Sequence, residues 1–155
     1  MRFWKNAGKT AAGRRATPPG ILKTEILDSF AVLFWLQDEG GATGLISRLE
    51  NAETGALKLV LPLINFGEVL YIVERGFGLM TAQWTQAVVE RLPIEILPAS
   101  RKWVFEAAHI KANYPISYAD AFTVAAAQEF DAPILTGDPE FKRVEGVVEI
   151  SWLRA

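Results

Sequence analysis

Short aliphatic runs, each the length of a strand, recur along this chain with helix-length stretches between them, and no other feature restricts the fold as much. Thr24 to Leu27, Leu57 to Leu61, Ile94 to Leu97, Pro133 to Leu135 and Val147 to Ile150 read as strands. Phe30 to Leu36, Ala42 to Asn51, Leu63 to Arg75, Thr81 to Arg91, Ala99 to Lys111 and Ser117 to Phe130 read as helices, punctuated by Gly40-Gly41, Pro62, Gly76 and Pro93. In the Ala99 helix, Trp103, Val104, Ala107 and Ala108 form the apolar stripe. Strands joined through helices pair in parallel by right-handed crossovers, which puts helices on both faces of the sheet. The expected fold is a three-layer α/β/α domain with a mainly parallel central sheet of about five strands. Strand order does not follow from the pattern.

The side-chain inventory excludes several chemistries. The 155 residues suit one domain with its own core, and there is no cysteine to make disulfides, thiolate metal sites or a thiol nucleophile. His109 is the single histidine, so two-histidine phosphodiester cleavage and histidine-rich metal sites lack their partners. It falls opposite the Trp103 stripe and is read as an exposed surface residue. Any catalysis therefore leans on carboxylates. The longest apolar run, Phe30 to Leu36, is too short to span a membrane, and no apolar core follows the basic N-terminus as a signal peptide requires. A soluble, cytoplasmic protein is expected.

Charge is unevenly distributed. Arg2, Lys5, Lys9, Arg14, Arg15 and Lys23 precede Thr24, and none of the 18 acids does, so a chain of net charge −2 carries a body of about −8. Residues 1–23 read as a basic, flexible extension, and 24–155 as the folded domain.

Four acids then fall into a pattern. Asp28 and Asp138 each follow the carboxyl end of a strand, and in a parallel sheet those ends form one rim. Glu68 sits early in the helix after the second strand and Asp120 early in the helix leading to Pro133 to Leu135, and both helices begin at that same rim. Each acid also has an ordinary explanation: Asp28 as a helix cap, Asp120 as the capping-box partner of Ser117, Asp138 as turn chemistry. Glu68 is the hardest to explain this way, because Arg75 is two turns away and no nearer base shares its stripe. Together the acids are costly: two carboxylates ~4 Å apart at an effective dielectric of ~20 repel by about 4 kcal/mol, against a net stability of ~5–15 kcal/mol. Protonation, basic partners or a hard divalent cation can compensate, and oxygen-only ligation favours Mg²⁺ or Mn²⁺.

The blocks Ile26-Leu27-Asp28-Ser29, Asn65-Phe66-Gly67-Glu68-Val69, Ser117-Tyr118-Ala119-Asp120-Ala121 and Leu135-Thr136-Gly137-Asp138-Pro139 resemble the four acidic motifs of PIN domains, especially toxins of the VapC type. Their order and spacings of 40, 52 and 18 residues suit that family, and the match spans nearly the whole body. The resemblance implies a Mg²⁺- or Mn²⁺-dependent ribonuclease, usually a homodimer, held inactive by a small cognate antitoxin that covers the site. It also implies catalytic and metal-binding roles for Asp28, Glu68, Asp120 and Asp138, with Thr136, Asn65 and Ser29 in support and Glu140 as a further acid.

Arg101, Lys102, Lys142 and Arg143 are candidates for holding the RNA backbone past the acidic cluster. The tryptophans and the run from Phe30 to Trp35 are expected in the core or a subunit interface rather than as base-stacking surfaces, with Trp84 the exposed exception. Two other functions compete. Aspartyl-phosphate chemistry is disfavoured because Phe30 stands where a dehalogenase-type phosphatase needs a second Asp, and no acidic pair precedes Asp28 as a receiver domain requires. A non-catalytic PIN-like scaffold binding RNA or a partner is disfavoured by the retention of all four acids.

Overall fold

The computed structural model describes residues 22–37 and 42–153. All but Leu22 and Lys23 of the basic extension lies outside the described residues, as do Gly40 and Gly41. In chain order the elements are β1 (Lys23–Leu27), α1 (Ser29–Leu36), α2 (Ala42–Glu53), β2 (Leu57–Pro62), α3 (Leu63–Phe77), α4 (Leu79–Val89), β3 (Glu95–Leu97), α5 (Arg101–Asn113), α6 (Tyr118–Phe130), β4 (Ile134–Thr136), a 3₁₀ turn (Pro139–Val144) and β5 (Ile150–Trp152). The five strands form one wholly parallel sheet in the order β3-β2-β1-β4-β5.

The period-two alternation of the strands divides the interior into two layers. Ile26, Val60, Leu97 and Ile134 face the side covered by α5, α6 and the 3₁₀ turn, where Trp103, Ala107, Val124, Phe141 and Val144 pack. Leu27, Leu59, Leu61 and Leu135 face the opposite side, against Trp35, Leu36, Leu45, Phe66, Val69 and Val89 from α1 to α4. A slip of one residue in any strand would exchange these two sets, so the register is firmly set.

Most elements lie where the pattern puts them, and the departures have local causes. The helix expected to stop at Gly76 runs on to Phe77 and ends at Gly78, whose φ of 89° suits glycine. The last strand is Ile150–Trp152 rather than Val147 to Ile150, because the amides of Val147 and Val148 bond back to the Val144 carbonyl at 2.9 and 3.1 Å. In α5 the core stripe is Trp103, Ala107 and Ile110; Ala108 is exposed and Val104 only half-buried. His109 is exposed, as read. Trp35 and Trp103 are buried and Trp84 is exposed, while Phe30 lies outside the core at 36% exposure. Among the described residues no helix is long and apolar enough to cross a membrane.

The strand order locates the crevice. From β1 the chain passes to α1 on one face of the sheet, whereas from the adjacent β4 it passes to the 3₁₀ turn on the other. The two connections diverge, and the rim between β1 and β4 is left open as a topological switch point, the place where parallel sheets bind ligands.

Candidate metal centre

The register Ile26↔Ile134, Leu27↔Leu135 sets the next residues of the two strands, Asp28 and Thr136, side by side at that rim. Asp28 is 1% exposed. As N-cap of α1 it accepts the Ala31 amide on Oδ1 at 2.8 Å, and its Oδ2 accepts the Thr136 hydroxyl. The Thr136 oxygen is itself an acceptor for the Asp138 amide at 2.9 Å, so its one proton is left for Asp28. The capping role expected for Asp28 is thus real and occupies only part of the carboxylate.

Asp120 enters from α6. Ser117 caps that helix, its hydroxyl accepting the Asp120 amide at 3.1 Å, and Asp120 is buried at 6% exposure. Asp138 begins the 3₁₀ turn and accepts the Glu140 amide at 2.9 Å. One carboxylate oxygen each from Asp120, Asp138 and Glu140 lies within 4.8 Å of the others. That span is close to the ~4.2 Å separating opposite oxygens around a Mg²⁺ ion with ~2.1 Å bonds. Glu140 is therefore placed in the group more firmly than its sequence position suggested: the 3₁₀ turn swings it back beside Asp138.

Asp28 and Glu68 each interact electrostatically with Asp120. Burial pushes the Asp28 carboxyl up to about 8; the Thr136 and Ala31 hydrogen bonds pull the other way, and the charges of Asp120 and Asp138 push it further up. Burial likewise raises Asp120 to about 6, opposed by Ser117 and reinforced by Asp138, Glu68 and Glu140. Glu68 is half-buried on α3, one turn beyond Asn65. Asn65 is fully buried, with its Nδ2 directed at Ser29 Oγ at 3.4 Å and its backbone carbonyl accepting the Ser29 hydroxyl at 3.1 Å. This link ties the first turn of α3 to the start of α1 and so sets Glu68 relative to Asp28.

Little positive charge is paired with this cluster among the described residues. Among the described residues, Arg143 is the one cation ion-paired to it, 3.8 Å from Glu140, and its guanidinium also donates to the Pro115 carbonyl at 2.6 Å. Arg75 stacks over Tyr71. Lys102 pairs with Glu129 near the far end of α6, and Arg101 lies over the Phe105 ring. Lys142 is exposed on the 3₁₀ turn. A set of oxygen donors, two of them buried and reluctant to ionise, fits a hard divalent cation on donor chemistry and on spacing.

Fold and site together define a parallel α/β domain with an acidic notch at its switch point. A sequence model of the PIN domain matches residues 26–147, and the chain belongs to that family. Among solved structures, the fold is similar to VapBC2 of Rickettsia felis bound to a promoter DNA fragment, with a TM-score of 0.64 and 16% identity over 83% of this chain and 98% of that one. It is also similar to the DNA-bound VapBC of Salmonella typhimurium, with a TM-score of 0.63 and 18% identity over 86% of this chain and 100% of the other. A third likeness is VapC20 of Mycobacterium tuberculosis, a sarcin–ricin-loop-cleaving toxin, with a TM-score of 0.61 and 15% identity over 83% and 98%. Among curated proteins compared by sequence, none matches.

Proposed function

We propose that this protein is a divalent-metal-dependent ribonuclease, the toxin of a toxin–antitoxin pair, acting in the cytoplasm. The observation that carries the proposal is that two buried carboxylates, Asp28 and Asp120, adjoin Asp138 and Glu140 while Arg143 is the one cation paired to the group among the described residues. Asp120, Asp138 and Glu140 would offer oxygens to Mg²⁺ or Mn²⁺, with Asp28 and Glu68 completing the charge around it. Bound there, the cation supplies activation of water and neutralisation of phosphate charge. The protein's own contribution is orientation. Thr136 fixes one Asp28 oxygen and the Asp138 backbone in a single hydrogen-bonded unit, and the Ser29–Asn65 link joins the helix that carries Glu68 to the helix that starts beside Asp28. Lys142 and Arg143, beside the acids on the 3₁₀ turn, are better placed to receive the RNA backbone than Lys102 and Arg101, which are engaged elsewhere.

The partners follow from the same reading. The VapBC neighbours are toxin–antitoxin assemblies, which supports a small antitoxin for this chain. Tyr71, Phe77, Leu79, Met80 and Trp84 give α3 and α4 an exposed apolar surface suited to a homodimer contact.

The test is cleavage of single-stranded RNA by the purified protein with Mn²⁺, with EDTA, and by Glu68→Gln. We expect cleavage only with the cation and a loss of ~100-fold or more in the variant, the scale of removing a group that positions a catalytic ion. Equal cleavage in EDTA would end the proposal.

A further inference from the structure

We infer that Phe30 is a stacking surface for one base of the RNA beside the scissile phosphate, an assignment that rests on the ribonuclease reading above. Phe30 lies two residues past Asp28, at the start of α1. Its ring is seated on Gly137, the residue between Thr136 and Asp138. A Cβ at Gly137 would lie 2.4 Å from Phe30 Cε1, 3.1 Å from Cδ1 and 3.2 Å from Cζ, so only glycine admits the ring at this position. The aromatic edge therefore meets the backbone joining two groups of the notch.

The ring is also held from behind and left open in part. Phe34, one turn along α1, stacks with it at 5.5 Å between centroids and 29° between planes, and Trp35 beyond is buried. Phe30 keeps more than a third of its surface in solvent. Singly exposed aromatics are ordinary on protein surfaces, but this one is fixed at the lip of a site whose ligand would carry flat apolar faces next to its charge. Tyr118, another exposed aromatic close to an acid of the site, does not share this placement. Its ring meets Phe122 edge-on at 5.1 Å and its hydroxyl reaches the Val104 carbonyl of α5 at 3.5 Å. A base can lie on Phe30 whichever nucleotide it belongs to, because every base has a π-face; the ring gives grip and local preference for purines rather than a sequence code.

The experiment uses the full-length protein and a single-stranded oligoribonucleotide with 2-aminopurine scanned along it, alongside matched probes with an abasic site at each position. With Ca²⁺ in place of Mn²⁺, 2-aminopurine at one position should be quenched on binding by the wild type, less so by Phe30→Leu, and again by Phe30→Trp. In Mn²⁺, Phe30→Leu should raise KM about tenfold with kcat little changed, the equivalent of losing one base–aromatic stack, and the effect should vanish on the probe abasic at that position. Thermal melts of both variants report folding. Unchanged quenching and KM in a folded Phe30→Leu overturn the assignment, and so does a loss confined to binding of a protein partner. Phe30-dependent quenching without any cleavage would uphold the stacking surface while removing the hydrolytic function, so the two failures are distinguishable.

Discussion

The two sides of the notch are built in opposite ways. On one, Asp28 and Thr136 come from adjacent central strands, are sealed from water and have their hydrogen bonds assigned to single partners. On the other, Asp138, Glu140 and Arg143 sit on a short 3₁₀ turn at the surface, joined by an amide contact and a long ion pair. The first side keeps its geometry at the cost of holding charge in a poor dielectric. The second is more open to water and is held by fewer buried contacts. A cation held between them, as proposed above, would be directed by the buried wall and would find the more accessible oxygens on the turn.

The largest effect should come from Asp28→Asn. It removes the group that would ionise against a bound cation while keeping size and the acceptor for Ala31, so metal-dependent cleavage should fall ~100-fold or more while the fold persists. Its stability signature is opposite in sign to that of an ordinary salt-bridged acid. The folded protein keeps a proton on Asp28 up to about 8 that an unfolded chain releases near 3.8, so metal-free stability should fall as pH rises through that interval. The melting temperature without metal should drop by ~5 °C or more from pH 5 to pH 8, and most of that slope should be missing in Asp28→Asn. A wild type that gains stability across this range would mean that the wall is not desolvated as described.

Thr136→Val should act at an intermediate level. It deprives Asp28 of its donor and Asp138 of an amide acceptor in a buried place, which should lower stability by ~1–3 kcal/mol in urea unfolding and slow cleavage by about tenfold. Smallest of all should be Arg143→Gln on the turn. An exposed ion pair at this separation contributes less than ~0.5 kcal/mol and the exposed bond to the Pro115 carbonyl about 1 kcal/mol at most, so the urea midpoint should move only slightly, while RNA affinity should lose part of its salt dependence. A large loss of stability there would show that the turn is more tightly built than its hydrogen bonds indicate.

Much of the fold was legible because strand ends and acids coincide in the sequence. Asp28 directly after Ile26-Leu27 and Asp138 shortly after Ile134-Leu135 carry both the β–α pattern and the rim position of the acids. The neighbourhood of β1 and β4 was not legible, since pairing between residues 108 apart leaves no local trace, and the switch point depends on it. Glu140 was weighted too lightly because its position depends on a 3₁₀ turn rather than an α-helix. Phe30 was read as core or subunit interface from the apolar run around it; its exposure arises because the helix starts at Ser29, which turns the second residue toward Gly137 rather than the sheet.

The hydrogen bond from Thr136 to Asp28 spans most of the domain's length of chain, which has a bearing on how the protein is made. During synthesis the N-terminal acid exists long before its partner leaves the ribosome exit tunnel, and half the notch is missing until β4 docks on β1. The notch is therefore assembled late, since Asp120, Asp138 and Glu140 are translated after most of the elements they join.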